Sequence, residues 1–151
     1  MCQAYRSTSP GEKLLNSTIN AVVALVFSLP VFFFSLSVVQ LKLAVVAVFF
    51  LENLEAILFH SYRLPGMRVL GTRWKAPYST IQQLVHAVLY SLSFASLLFW
   101  VWFPGDLLII NLLCLQLPCV LTTGTTLHGL LAGKMVDVKT LGEGPPNRDR
   151  C

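Results

Sequence analysis

The feature that most constrains this chain is an apolar stretch too long for any single membrane crossing. Between residues 21 and 50 the only charged or amide side chains are Gln40 and Lys42, and apolar sequence prevails from residue 14 to residue 62. One helix over that whole range would be about 70 Å long at 1.5 Å per residue, against hydrocarbon about 30 Å thick. The chain must therefore reverse within it. Residues 40–43 offer one place, with the Lys42 stem lying along apolar surface and its ammonium reaching water. Pro30, which removes a helical N–H, offers the other. The expectation adopted is reversal at 40–43, which puts Glu52 near the middle of the second crossing. Reversal at Pro30 would move Glu52 to a membrane edge.

Of the 151 residues 55% are apolar and 12% charged, whereas a soluble domain is about 25% charged. The fold class expected is all-α, a polytopic membrane protein built as a bundle of four transmembrane helices. The spans are expected at about 17–39, 43–62, 79–103 and 107–132. A polar N-terminal segment (1–13), a basic loop (63–78) and a polar, disordered tail (134–151) surround this membrane domain of residues 14–133. Ser79-x-x-Gln82 has the form of a capping box and starts the third span. Trp100, Trp102 and Phe103 close it with the aromatic cluster expected at a water interface.

Ten of the eleven Lys and Arg fall in the N-terminal segment, the basic loop and the tail, with Lys42 alone on the other side. The positive-inside rule then makes both termini cytoplasmic. The net charge of +4 is explained by this clustering at membrane edges, so nucleic acid is not an expected partner. The expected partners are the lipid bilayer and other membrane proteins. Cys2, Cys114, Cys119 and Cys151 form neither a CxxC pair nor a metal-ligand spacing, and no cofactor is implied.

Chemistry is most conspicuous at residues 49–60, where Glu52, Asn53, Glu55 and His60 interrupt apolar sequence. A carboxylate at mid-membrane costs on the order of 2–4 kcal/mol and needs a partner, a proton or water. On the third span Gln82, His86, Tyr90, Ser93 and Ser96 share one face, a natural partner surface. At 1.5 Å per residue Glu55 and His86 lie at similar depths, about 12–13 Å, so the two are expected to approach each other.

Three readings of these groups compete. They are interhelical hydrogen-bonding glue. Alternatively Glu52, Glu55 and His86 form a titrating active site or transport path, since two carboxylates one turn apart in low dielectric do not both ionise easily. The weakest is a metal or haem site on His60, His86, His128 and the two Glu, because no HExxH-like spacing ties two ligands to one helix. Arg63, Arg68, Arg73 and Lys75, interleaved with Trp74 and Tyr78, suit lipid headgroups or simply set orientation. Gly129 and Gly133 form a GxxxG step expected to be a helix-packing face. The function expected is an accessory or scaffolding subunit of a larger membrane complex, in the endoplasmic reticulum or another internal membrane. The alternative is a small intramembrane transporter or lipid-modifying enzyme using buried Glu and His residues.

Overall fold

The computed structural model describes residues 5–140. It is mostly helical, but a small sheet gathers at one end. Helix α1 (Pro10–Phe27) starts at Ser9, whose side chain accepts from the Glu12 N–H while the Glu12 carboxylate accepts from the Ser9 N–H. Pro30 lies in a 3-10 turn over Leu29–Phe33, and α2 (Val38–Phe59) begins at a second capping box, Ser37 with Gln40. The break between the first two helices therefore falls at residues 28–37, at Pro30, and the expected reversal at 40–43 is corrected. Gln40 is not a turn residue. It occupies the third position of α2 and closes the cap by accepting from the Ser37 N–H at 2.9 Å.

Beyond α2 come α3 (Pro65–Leu70), strand β2 (Thr72–Trp74) and α4 (Thr80–Leu98), the last capped by Ser79 and Gln82 as the sequence pattern predicts. A turn fastened by Asp106, whose carboxylate accepts from the N–H groups of Trp102 and Leu107 at 2.6 Å, leads into the last long helix. That helix runs as α5 (Asp106–Ile109), a π-helical stretch (Ile110–Gln116) and α6 (Leu117–Thr123). It stops at Gly124, in the left-handed region at φ 72°, and the short helix α7 (Leu127–Leu131) follows. The expected span of 107–132 is thus two helices.

Strands β1 (Tyr5–Ser7) and β2 both pair antiparallel with β3 (Asp137–Thr140), Arg6 opposite Lys139 and Arg73 opposite Val138. The all-α expectation is corrected to this extent, and residues 134–140 are not a disordered tail. Residues 141–151 lie outside the described residues. One sheet thereby joins the N-terminal segment, the basic loop and the C-terminal stretch.

Three helices are long and apolar enough to cross a membrane: Pro10–Phe33, Thr80–Leu98 and Asp106–Thr123. Helix α2 has 22 residues, yet every 18-residue window within it carries Lys42, Glu52 and Glu55. It packs against α1 and α4 through a stripe of Val45, Phe49, Asn53 and Ala56, all buried. Phe49 stacks on Phe94 with ring centroids 4.2 Å apart and meets the Tyr90 ring edge-on at 5.0 Å.

Gly129 and Gly133 do not form one helix face. Helix α7 ends at Leu131 and Gly133 sits at φ 102°, so the GxxxG expectation is corrected. Gly129 instead lets α7 approach the backbone of Met135: a Cβ there would lie 2.8 Å from the Met135 carbonyl oxygen. Close approach also matters at Gly66, which seats α3 on α1. A Cβ at Gly66 would lie 2.5 Å from the Asn16 carbonyl oxygen. Backbone cannot yield as a flexible side chain does, so Gly66→Ala is expected to destabilise the protein by about 1–3 kcal/mol, the usual range for overpacking. Thermal unfolding in detergent measures this, and an unchanged midpoint would show that α1 and α3 are not in this contact.

Candidate functional site

Beneath the sheet, side chains from both ends of the chain converge on the start of α1. Lys13 sits one turn into that helix and is only 6% exposed. Its ammonium pairs with the Asp137 carboxylate and donates to Thr8 Oγ1 at 2.7 Å, while the Thr8 hydroxyl also lies 2.7 Å from Asp137 Oδ2. Asp137, the first residue of β3, is itself buried. Removing two charges from water costs several kcal/mol per ion, so such a pair persists only where partners satisfy both ions. Thr8 supplies that extra partner.

His128 of α7 lies next to this pair, 8% exposed. Burial pushes its imidazole down to about 3, with the Lys13 charge acting in the same direction and Asp137 opposing. Its ring stands edge-on to His86 at 4.7 Å and lies nearly parallel to Tyr90 at 4.8 Å. His86 Nδ1 and the Tyr62 hydroxyl share a hydrogen bond of 2.5 Å. Tyr62 is fully buried, and burial raises its phenol well above the ordinary value. Two left-handed residues, Ser61 at φ 49° and Tyr62 at φ 57°, follow the end of α2. The Tyr62 ring stacks on Trp74, whose indole N–H donates to the Tyr62 carbonyl at 2.6 Å. Asn20 completes the cluster, donating to the Tyr90 hydroxyl at 3.0 Å and accepting from the Gly66 N–H at 2.7 Å.

A small, partly open well of about 30 Å³ lies inside the cluster, lined by Lys13, Asn16, His86, Tyr90, His128 and Asp137 among others. That is room for one or two groups the size of a water. Asn16 Oδ1 and His128 Nδ1 are buried without a hydrogen-bond partner in the protein. Adjoining the well, and sharing Lys13, Ser17, Tyr90, Thr126 and His128 with it, is an apolar groove of about 650 Å³ between α1 and helix 106–123.

The residues singled out in the sequence are distributed otherwise than expected. Glu55 does not meet His86. It is exposed and pairs with His60 Nε2 at 2.7 Å and with Arg68 at 3.5 Å. The reason lies in α2, whose buried stripe runs through Asn53 and Ala56, so that Glu55 sits about 100° away from Ala56. Glu52 is half-buried, its Oε1 without a partner. The polar face of α4 meets Tyr62, Asn20 and His128 through His86 and Tyr90, and Asn111 through Ser93 and Ser96. Of the three histidines, His86 and His128 come together while His60 stays with Glu55. Among the described residues no three His, Cys, Asp or Glu side chains are placed to hold a metal. Arg63, Arg68 and Lys75 are exposed at the sheet end, and the Arg73 guanidinium lies over the Tyr5 ring at 4.5 Å.

Lys13, Asp137, Tyr62 and Trp74 were not anticipated as site residues. The alternation Val136-Asp137-Val138-Lys139 is a signal from which β3 could have been found in place of a disordered tail, but nothing in the sequence pairs Asp137 with Lys13.

No protein-family model, curated protein or solved structure matches the chain.

Removing one member of a buried ion pair strands the other charge, whereas replacing both with apolar groups of similar volume is often neutral. Lys13→Met alone is expected to cost about 3–5 kcal/mol, and Lys13→Met combined with Asp137→Leu to recover most of that loss. Thermal midpoints of the two single variants and the double variant measure the coupling. Strictly additive losses would show that the pair does not hold the sheet to α1.

Proposed function

We propose that this chain is a small multi-pass membrane protein that acts as an accessory or scaffolding subunit of a larger membrane assembly. One observation carries the reading: the buried polar groups are largely spent on one another. Lys13 is matched by Asp137 and Thr8, Tyr62 by His86, and Asn20 by Tyr90 and Gly66. Interior polar bonds of this kind act as glue between membrane helices. The outer faces are apolar, with Phe27, Phe33, Phe34 and Trp102 more than 60% exposed, and offer surface to lipid and to neighbouring helices. An intramembrane enzyme or transporter working through Glu52, Glu55 and His86 has less support, because Glu55 sits with His60 and Arg68 at the outside. The short connections between helices among the described residues favour an internal membrane such as the endoplasmic reticulum.

In this proposal α2 is a fourth crossing, antiparallel to α1, and the sheet end is cytoplasmic. Glu52 and Glu55 then lie about 10 Å and 6 Å from the end of α2 at 1.5 Å per residue, where ionised groups are less costly than at mid-membrane. Lys42 lies at the opposite end, its ammonium 3.3 Å from the centroid of the Trp100 ring, an arrangement suited to an interface.

Extraction in a mild detergent at native expression level is expected to yield a complex several times the chain's own 16.8 kDa, with other membrane proteins in fixed stoichiometry. A monodisperse single chain would overturn the subunit reading. Topology has its own check. A glycosylation acceptor inserted beside Phe34 should be modified and one beside Gly71 should not, and the opposite pattern would reverse the assigned orientation.

A further inference from the structure

The groove between α1 and helix 106–123 has the polarity of a lipid. Its walls are apolar along most of its length, with Leu14, Val22 and Leu25 on one side and Leu108, Leu113 and Val120 on the other. It follows α1 from Pro10 to Leu25, about 22 Å at 1.5 Å per residue, more than the depth of one leaflet of hydrocarbon. At about 650 Å³ it falls within the ordinary range of ligand sites. Polar character appears at the sheet end, where Lys13, Ser17, Thr126 and His128 line the groove and the 30 Å³ well together. The other polar residues of its lining, Asn111 and Gln116, are occupied: Asn111 donates to Ser93 and Ser96, and Gln116 bonds Asn111 and the Leu127 N–H.

The chemistry of the well selects the headgroup. Lys13 is already paired with Asp137, so no net charge remains there to attract an anion. Asn16 Oδ1 is an acceptor without a donor, and a phosphate diester or carboxylate has no proton to give it. His128 Nδ1, on a side chain 8% exposed, also lacks a partner. A hydroxyl can give its one proton to Asn16 Oδ1 and accept from His128 Nδ1–H, in the tautomer protonated at Nδ1. The well has room for a hydroxyl.

We propose that this groove and well form a binding site for a neutral lipid with a free hydroxyl headgroup, its hydrocarbon along α1 and its hydroxyl between Asn16 and His128. The inference rests on the chain's lying in a membrane and not on the scaffolding role, so either can fail without the other.

The test uses the full chain in detergent micelles with a diacylglycerol carrying a photoreactive group in one acyl chain. Labelled peptides are expected to map to α1 and helix 106–123. Unlabelled diacylglycerol should compete at least tenfold better than the corresponding phosphatidic acid. Leu14→Trp with Leu117→Trp, two exposed wall residues whose side chains make no bond in the cluster, should fill the groove and reduce labelling at least fivefold with an unchanged thermal midpoint. Asn16→Leu should reduce labelling about tenfold, and His128→Gln, which can still donate or accept, should reduce it less than His128→Phe. Labelling unaffected by the two tryptophans, or spread over all helices, would show ordinary annular lipid and overturn the site. Phosphatidic acid competing as well as diacylglycerol, or Asn16→Leu and His128→Phe both labelling like the native chain, would overturn the hydroxyl recognition.

Discussion

The buried pair between Lys13 and Asp137 is the interaction on which the sheet end of the molecule depends. It joins residues 124 positions apart and ties the start of α1 to the last described strand. The strands involved have three, three and four residues, and sheets this small are marginal unless they pack on something. Here they pack on the ion pair and on the aromatic group formed by Tyr62, Trp74 and His86. The dependence runs both ways. The sheet covers Lys13 and Asp137 from water, and the pair gives β3 a fixed register over α1. Around it α1, α4, α7 and β2 each contribute at least one side chain and α3 contributes the Gly66 N–H, which makes this the point where the helices are gathered on polar groups.

Much of the helical skeleton was legible in the sequence, and its breaks were less so. Apolar runs of membrane length mark α1, α2, α4 and helix 106–123, and Ser79 with Gln82 marks the start of α4. Gln40 and Lys42 interrupt the apolar run and so draw the expected reversal away from the true break before α2. Ser37-x-x-Gln40 has the same capping form as Ser79-x-x-Gln82, and equal weight on that signal would have placed the break at Pro30. The site was legible only in part. His86 and His128 stood out as imidazoles in apolar sequence, but their partners depend on tertiary geometry. Tyr62 enters the cluster as the second of two left-handed residues, and neither Ser61 nor Tyr62 is a residue type that advertises that conformation. Lys13 and Asp137 looked like solvated charges because each lies beside a polar segment, and only the sheet brings them together.

The displaced break changes the meaning of the two carboxylates. With reversal at 40–43, Glu52 would stand near mid-membrane and require a strong compensating partner. With the break at Pro30, both carboxylates approach the sheet end, and Glu55 finds His60 and Arg68 at the surface. An exposed pair of this kind is worth about 0–1 kcal/mol, so Glu55 reads as a group made tolerable by position and not as one held for chemistry. The polar investment of the molecule has instead gone to the faces of α1 and α4 that meet beneath the sheet.

Helix 106–123 shows the same logic where packing is thin. Grooves of about 650 and 480 Å³ flank it, so side-chain packing alone does little to fix its position. Lipid competes for apolar surface as well as another helix does, which leaves hydrogen bonds and close packing to decide association. Asn111, 8% exposed, supplies those bonds by donating to Ser93 Oγ at 2.7 Å and Ser96 Oγ at 3.0 Å on α4. Its own oxygen accepts from Gln116 at 3.2 Å, and Gln116 accepts in turn from the Leu127 N–H at 3.0 Å. Residues five apart lie about 140° from each other around an α-helix and do not meet. The π-helical turn over Ile110–Gln116 brings Asn111 and Gln116 together, and Pro118, which has no N–H to give an α-helical bond, lies two residues beyond its end. The irregular stretch is therefore what connects α4 to α7 through helix 106–123, and it leaves that helix clasped at one level with open grooves on either side.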